Sequence, residues 1–120
     1  MEDIRRQTGI QGEKEAAFYL ESQGVRIIQK NFRCRYGEID LIGWDGTYYL
    51  MVEVKYRSSW EQGFPAEAVD FRKQRKICRT CDYYRMKKNL DDFVPIRFDI
   101  IEIDWKGRCH WVKNAFDYVE

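Results

Sequence analysis

Polar and apolar residues follow a helical period near the start of this 120-residue chain. Four residues share one helical face at spacings of three, four and seven positions: Glu13, Ala16, Ala17 and Leu20. Residues 8–11, Thr-Gly-Ile-Gln, resemble a capping box, and Gly24 is typical of a helix C-terminus. The pattern predicts a first helix between these two signals. It places Glu13 on the inward face, where a carboxylate needs a partner.

Shorter apolar stretches later in the chain have the length of β-strands. They are residues 25–32, 37–43, 48–57, 96–104 and 110–112. Pro65 ends a loop at 58–65 and fits the first turn of a second helix that runs to about Lys88. The inward stripe of this helix is Ala66, Val69, Ile77 and Tyr84, with Lys73 on the same side. The order α-β-β-β-α-β-β predicts an α/β sheet with two main helices.

The dipeptide Asp45-Gly46 separates two of these apolar stretches and predicts a β-hairpin. A turn centred there sets three pairs opposite each other: Gly43 and Tyr48, Asp40 and Met51, Glu38 and Glu53. Since side chains alternate between faces, Asp40, Glu53 and Lys55 then share one face, with the two carboxylates roughly 7 Å apart on a diagonal. The other face is expected to cover the core with Ile39, Leu41, Leu50, Val52 and Val54.

Like charges on one face of a sheet destabilise it, so this cluster calls for a compensating cation. Mg²⁺ or Mn²⁺ would suit Asp40 and Glu53 as ligands, with the Val54 carbonyl as a further oxygen and Glu38 as a supporting acid. Lys55 could hold or deprotonate a nucleophilic water, or stabilise charge that develops on a phosphate. The alternative is a charged hairpin face in solvent, without metal.

Basic residues are concentrated in residues 72–88, which hold eight of them against one acid, Asp82. The rest of the chain is acidic, although the net charge of the whole is +1. Five basic residues fall within one short stretch: Arg72, Lys73, Arg75, Lys76 and Arg79. The stretch predicts contacts with backbone phosphates of a nucleic acid, while Lys73, on the inward side, could reach the acidic cluster. A solvated helix is the alternative.

Composition narrows the classes of protein that remain. The length and the 44% hydrophobic content predict a single domain, residues 1–120, with a real core. No apolar run approaches the ~20 residues that cross a bilayer, and the N-terminus lacks the apolar stretch of a signal peptide. We therefore expect a cytoplasmic protein with reduced cysteines and no membrane partner.

Other motifs favour ordinary packing over chemistry. Cys78 and Cys81 have the spacing of a zinc half-site, but they fall mid-helix and the other two cysteines are isolated. His110 is the only histidine, which argues against chemistry that needs a histidine pair. Trp60 and Phe64 in the loop could stack on bases, and packing onto the core is the alternative.

At several of these residues the chain resembles the YraN-like family of small bacterial proteins. The matching positions follow in order: 12–13, 16, 31–33, 37–42, 52–57, 73, 97–99 and 115–116. That family is similar to the PD-(D/E)XK, or restriction-endonuclease-like, nucleases and especially to archaeal Holliday-junction resolvases, which also have a glutamate in the first helix. The resemblance implies a restriction-endonuclease-like mixed sheet flanked by helices. It also implies metal ligands at Asp40 and Glu53, a catalytic lysine at Lys55 and an auxiliary acid at Glu13, which would complete the metal site or tune it.

The resulting expectation is a Mg²⁺- or Mn²⁺-dependent nuclease that hydrolyses DNA phosphodiester bonds, including those of branched or structured DNA. A symmetric branched substrate would require a homodimer, because one site cuts one strand. A competing class is a non-catalytic DNA- or RNA-binding module on the same scaffold. A third is a protein-interaction domain with a solvated charged hairpin.

Overall fold

The computed structural model describes the backbone of residues 4–57 and 69–120 and the side chains from Gly12 onward. Its elements are α1 (Ile4–Ser22), β1 (Arg26–Cys34), β2 (Gly37–Trp44), β3 (Tyr49–Tyr56), α2 (Phe71–Lys87), β4 (Ile96–Ile103) and β5 (Cys109–Phe116). The strands form an open five-stranded sheet in the order β1-β2-β3-β4-β5. β3 and β4 are parallel, and the other neighbours are antiparallel. The predicted α/β class and element order are confirmed.

Each face of the sheet is covered by one helix. On the α1 side, Ala16, Ala17 and Leu20 pack against buried strand residues: Leu41, Leu50, Val52, Ile101 and Ile103. On the α2 side, Ile77, Cys78, Cys81 and Tyr84 pack against another set: Phe32, Ile39, Ile42, Met51, Phe98 and Ile100. The prediction of a single core face is therefore wrong, and Ile39 packs on the α2 side. The reason is that β3 and β4 are parallel, so the chain between them must pass over one face of the sheet. α2 belongs to this connection and covers that face.

The hairpin of β2 and β3 has a different register from the predicted one. The observed pairs are Trp44 with Tyr49, Gly43 with Leu50, Ile42 with Met51, and Leu41 with Val52. The Asp45 carboxylate accepts hydrogen bonds from the Thr47 and Tyr48 amides at 2.8 and 2.6 Å, which closes a four-residue loop instead of a two-residue turn. Glu38 consequently does not lie opposite Glu53. It pairs with Arg33 on β1, and an ion pair of 3.0 Å joins them.

Both helices begin at places that the sequence reading missed. α1 already includes Ile4, so Thr8 lies inside the helix rather than at its N-cap, because the preceding residues are adequate helix formers. α2 begins at Phe71 rather than at Pro65, because the Asp70 carboxylate accepts a hydrogen bond from the Lys73 amide and caps the helix. Gly24, with φ of +91°, follows the end of α1 as predicted. The residues proposed in the intervening loop and first turn lie outside the described residues: Trp60, Phe64, Pro65 and Ala66.

β5 is longer than the predicted strand at 110–112. The buried Asp99 carboxylate accepts hydrogen bonds from the Trp111 indole and the Asn114 amide, both at 2.9 Å, next to an irregularity in the β4–β5 pairing. The Arg97 guanidinium donates twice to the same carboxylate, at 2.9 and 2.8 Å. This network holds β5 on the sheet beyond its short apolar core. Among the described helices, none combines the length and apolar character needed to cross a bilayer.

Candidate active site

Asp40 lies in the middle of the sheet and is nine-tenths buried, with 9% of its surface exposed. Its Oδ2 accepts a hydrogen bond of 2.8 Å from the backbone amide of Val54 on β3. The backbone pairing of β2 with β3 ends at Leu41 and Val52. Beyond that pair, the Asp40 side chain accepts the hydrogen bond that a backbone carbonyl of β2 would otherwise accept. This bond fixes the Asp40 carboxylate beside the segment that carries Glu53 and Lys55.

Glu53 is the most buried acid of the candidate site, and two lysines hold its carboxylate. The Lys73 ammonium lies 2.8 Å from Glu53 Oε1, and the Lys55 ammonium lies 3.4 Å from the same oxygen. Lys55 comes from the same strand, whereas Lys73 comes from the first turn of α2. The cap at Asp70 fixes that turn, because its carboxylate binds the Lys73 amide. The sheet and α2 are therefore joined at Glu53.

The close packing of charged groups shifts the pKa values of Asp40 and Lys73. Burial raises the pKa of Asp40 to about 7, and the charges of Glu53, Glu13 and Glu38 add to the effect, against the opposing hydrogen bond from Val54. For Lys73, burial acts to lower the pKa of the ammonium, but the hydrogen bond and charge of Glu53 outweigh it and raise that pKa above its ordinary value. Without a further cation, Asp40 therefore holds its proton to much higher pH than an exposed aspartate does.

The two other acids predicted for the site occupy different surroundings. Glu13 is half-buried on α1, and its charge acts on Asp40 through space. Glu38 is half-exposed and is held by Arg33. The negative charges of both carboxylates raise the pKa of Asp40. Neither acid is part of the buried pair formed by Asp40 and Glu53.

The donor set fits a divalent cation that needs few protein ligands. Within residues 12–57 and 69–120, no three side chains of Asp, Glu, His or Cys form a ready-made metal cluster. The pair Asp40 and Glu53 offers hard carboxylate oxygens, and Mg²⁺ is commonly bound through one or two carboxylates with water and substrate phosphate completing its shell. A cation would also relieve the repulsion that raises the pKa of Asp40. The further ligands suggested by the sequence, the Val54 carbonyl and Glu13, stay predictions.

The basic residues of α2 divide into two groups. Lys73 turns toward Glu53, whereas the side chains of four others are exposed: Arg72, Arg75, Lys76 and Arg79. A groove of about 320 Å³ runs between this part of α2 and the start of β2, and Lys73, Lys76 and Gly37 line it. Lys73 therefore contacts Glu53 and also lines a groove that it shares with Arg72 and Lys76.

Comparison with known sequences places this arrangement in a family. The model of the uncharacterised protein family UPF0102 matches residues 12–103. The chain belongs to this family. The match confirms the assignment to the YraN-like group, which the motifs had suggested. It spans α1 from Gly12 to the end of β4, so all the acids and lysines of the candidate site fall within the UPF0102 region.

UPF0102 proteins from several bacteria are similar over almost their whole length. The protein of Lachnoclostridium phytofermentans is 45% identical over 109 residues, which cover 91% of this chain and 92% of the relative. That of Caldanaerobacter subterraneus is 46% identical over 104 residues, covering 86% and 84%. That of Clostridioides difficile is 44% identical over 106 residues, covering 88% and 92%. The candidate site thus belongs to a UPF0102 domain shared along nearly the full chain.

Sequence reasoning missed two groups that shape the UPF0102 site. Asp70 went unnoticed, although an aspartate just before a helical stretch is an ordinary N-cap signal that would have placed the helix start correctly. The direct hydrogen bond from Val54 to Asp40 was also missed, since it depends on the register of the hairpin. Lys73 was recognised as a residue on the inward side, and the structure brings it to Glu53.

Proposed function

We propose that this chain is a metal-dependent nuclease that hydrolyses phosphodiester bonds of DNA with Mg²⁺ or Mn²⁺. The observation that carries the proposal is the pair of buried carboxylates, Asp40 and Glu53, with two lysine ammonium groups at Glu53. Buried acids whose charge is only partly compensated are costly in a purely structural role. Cation and phosphate binding give both the acids and the lysines a use in one reaction.

Asp40 and Glu53 would hold the ion, with the Val54 carbonyl as an additional oxygen. Once bound, the ion supplies positive charge that stabilises the attacked phosphate and favours a hydroxide nucleophile. Lys55 positions the attacking water by a hydrogen bond. Water adds to phosphorus as the bond to the leaving ester oxygen breaks, and the products are a phosphate monoester and an alcohol. Glu13 raises the proton affinity of Asp40 and so tunes the site.

Residues of α2 would bind the substrate. Lys73 can donate a hydrogen bond to a non-bridging phosphate oxygen, since its ammonium already lies at the acidic pair. The four exposed basic side chains would contact the flanking phosphates: Arg72, Arg75, Lys76 and Arg79. A two-fold symmetric branched DNA would be served by a homodimer, in which each protomer cuts one strand.

One observation favours a second candidate, a non-catalytic nucleic-acid-binding module. Lys73 and Lys55 already neutralise Glu53, so the acid has partners without a metal. In that case the acidic pair would be structural, and α2 alone would carry the function. The two candidates differ in whether DNA is cut.

The test is cleavage of flap, junction, single-stranded and duplex DNA by the purified protein in Mn²⁺. We expect cleavage of at least one substrate by the wild type, and none by Asp40→Asn or in the presence of a chelator. Binding without cleavage of any substrate would favour the non-catalytic module. Cleavage that survives in Asp40→Asn would assign the activity to another group or to a contaminant, and would contradict the proposed site.

A further inference from the structure

A second pocket lies about 15 Å along α2 from Lys73, counting ten residues at 1.5 Å each. It has a volume of about 330 Å³ and is lined by Tyr36, Arg79, Asp82, Tyr83 and Met86. Tyr36 belongs to the turn between β1 and β2, and the other residues belong to the second half of α2. None of the roles assigned above accounts for its two tyrosine rings.

The pocket and the acidic pair lie along one face of α2. Lys73, Lys76, Arg79 and Tyr83 follow each other at spacings of three, three and four residues, which keeps them on one side of a helix. Lys73 and Lys76 line the groove beside the start of β2, and Arg79 and Tyr83 line the pocket beyond it. A strand that leaves the site along this groove would reach the pocket after about four stacked nucleotides at 3.4 Å each.

The pocket is held in shape by a close approach of the turn to the helix. A Cβ atom at Gly37, where φ is +151°, would lie 3.2 Å from Thr80 Oγ1. Gly37 thus lets the turn lie close to α2, and the neighbouring Tyr36 contacts Tyr83, with ring centroids 6.4 Å apart at 60°. Arg35 donates a hydrogen bond of 2.7 Å to the Tyr36 hydroxyl and lies 4.9 Å from its ring centroid. The tyrosine is therefore oriented without any ligand.

We propose that this pocket binds an unpaired base of the DNA strand that follows α2 from the acidic pair, so that the substrate class is DNA with a single-stranded segment. The inference rests on the proposed nucleic-acid function. The tyrosine rings and Met86 provide flat apolar surface for a base, and such stacking tolerates any sequence. Arg79 at the rim can donate hydrogen bonds to the polar edge of a base.

The surrounding charges favour a nucleic-acid strand as the occupant. Lys73, Lys76 and Arg79 lie along the path to the pocket, where phosphates would pass. The acids that line this path each have a partner. Glu38 pairs with Arg33, Asp70 accepts a hydrogen bond from the Lys73 amide, and Asp82 accepts one of 2.6 Å from the Tyr118 hydroxyl. A base within a duplex is paired and stacked on its neighbours, so an unpaired base enters at lower cost.

The test compares a duplex with a six-nucleotide single-stranded tail and a blunt duplex, with affinities from fluorescence anisotropy in a chelator, where no cleavage occurs. We expect the wild type to prefer the tailed DNA. Tyr36→Ala should lose about tenfold affinity for the tailed DNA and none for the blunt one. Tyr36→Phe, which keeps the ring and loses only the hydrogen bond from Arg35, should lose much less affinity for the tailed DNA than Tyr36→Ala. The matched control is Tyr48→Ala in the loop between β2 and β3, since Tyr48 is 37% exposed and Tyr36 is 36% exposed.

Met86→Ala is a second test of the pocket that leaves Tyr36 unchanged. Because Met86 is 66% exposed, its truncation should leave the core intact. It should weaken the tailed complex several-fold and leave the blunt complex unchanged. The proposed pocket would be wrong if Tyr36→Ala and Met86→Ala lost the same affinity for tailed and blunt DNA, or lost none for either. It would also be wrong if Tyr48→Ala lost the preference for tailed DNA to the same extent. Cleavage in Mn²⁺ is scored separately. If the variants lose affinity only for tailed DNA but the wild type cuts no DNA, the pocket is supported and the nuclease is rejected. If the wild type cuts DNA but the variants show no tail-specific loss of affinity, the nuclease is supported and the pocket is rejected.

Discussion

The Lys73 ammonium on α2 lies 2.8 Å from the Glu53 carboxylate on β3. This ion pair links the basic helix to the acidic centre of the sheet, and Asp70 fixes the helix start from which Lys73 extends. Glu53 is 95% buried, whereas the Lys73 side chain is 42% exposed. The Glu53 carboxylate is thus fixed in the buried site, while the more exposed Lys73 ammonium can leave Glu53 and bind a phosphate. Five predictions test this arrangement.

We expect Asp40→Asn to stabilise the metal-free protein above neutral pH. The folded-state pKa of Asp40, about 7, exceeds the unfolded value, so ionisation costs stability as pH rises from about 4 to about 7. Asparagine carries no charge and can still accept the hydrogen bond from Val54. In urea unfolding with a chelator, the variant should gain up to about 4 kcal/mol over the wild type at pH 8 and little at pH 4. A variant that is less stable at both pH values would contradict the electrostatic account.

Divalent-ion binding should depend on both carboxylates and on pH. Asp40→Asn and Glu53→Gln should each weaken Mn²⁺ binding by more than about tenfold in calorimetric titration while circular dichroism stays unchanged. Wild-type affinity should rise with pH up to about 7 and then level off, since the ion must displace the proton of Asp40. Glu38→Gln is the control, because Glu38 is half-exposed and held by Arg33. Unchanged affinity in the Asp40 and Glu53 variants would remove the metal site.

Removing the Lys73 charge should have opposite effects on stability and on metal binding. Lys73→Met deletes the nearest cation of Glu53, so we expect the metal-free protein to lose about 1 kcal/mol of unfolding free energy. Mn²⁺ should bind a few-fold more tightly, because the ammonium no longer competes for the carboxylate. Chemical unfolding and calorimetry measure the two effects. Weaker metal binding in Lys73→Met would mean that the lysine supports the site rather than competing for it.

Nucleic-acid binding should depend on salt through α2. Three or four phosphate contacts would give a log-log slope near −3 to −4 for duplex DNA. Changing the four exposed basic residues to glutamine should flatten this slope and weaken all sequences alike: Arg72, Arg75, Lys76 and Arg79. The control changes four exposed basic residues elsewhere: Arg26, Lys30, Lys106 and Lys113. If anisotropy gives the same slope for the α2 variant and the wild type, the phosphates are bound elsewhere.

Much of the fold was predictable because its signals are local. The stripe of Ala16, Ala17 and Leu20 predicted the buried face of α1, and all three are buried. Gly24 marked the end of that helix. The hairpin register was not predictable from Asp45-Gly46 alone, because the Asp45 side chain lengthens the turn by binding two later amides. A two-residue error of register preserves the face on which each side chain lies, so the association of Asp40 with Glu53 survived it.

The features that escaped prediction depend on how strands and helices pair, which local sequence patterns do not show. Glu38 was expected opposite Glu53 on β3, but it lies beyond the last β2–β3 pair and forms an ion pair with Arg33 on β1 instead. The apolar character of β2 and β3 could not show that a helix covers each face, since that follows from the parallel pairing of β3 with β4. The buried network of Asp99, Arg97 and Trp111 likewise joins β4 to β5 through side chains, which the apolar pattern of either strand does not indicate. Only the assembled sheet reveals it.

The most direct test of the central claim is Lys55→Ala, measured for cleavage and for binding in parallel. A lysine that acts on the attacking water contributes to the transition state rather than to ground-state binding. We therefore predict that Lys55→Ala abolishes Mn²⁺-dependent DNA cleavage while its DNA affinity stays within a few-fold of the wild type. Cleavage at the wild-type rate by this variant would contradict the account.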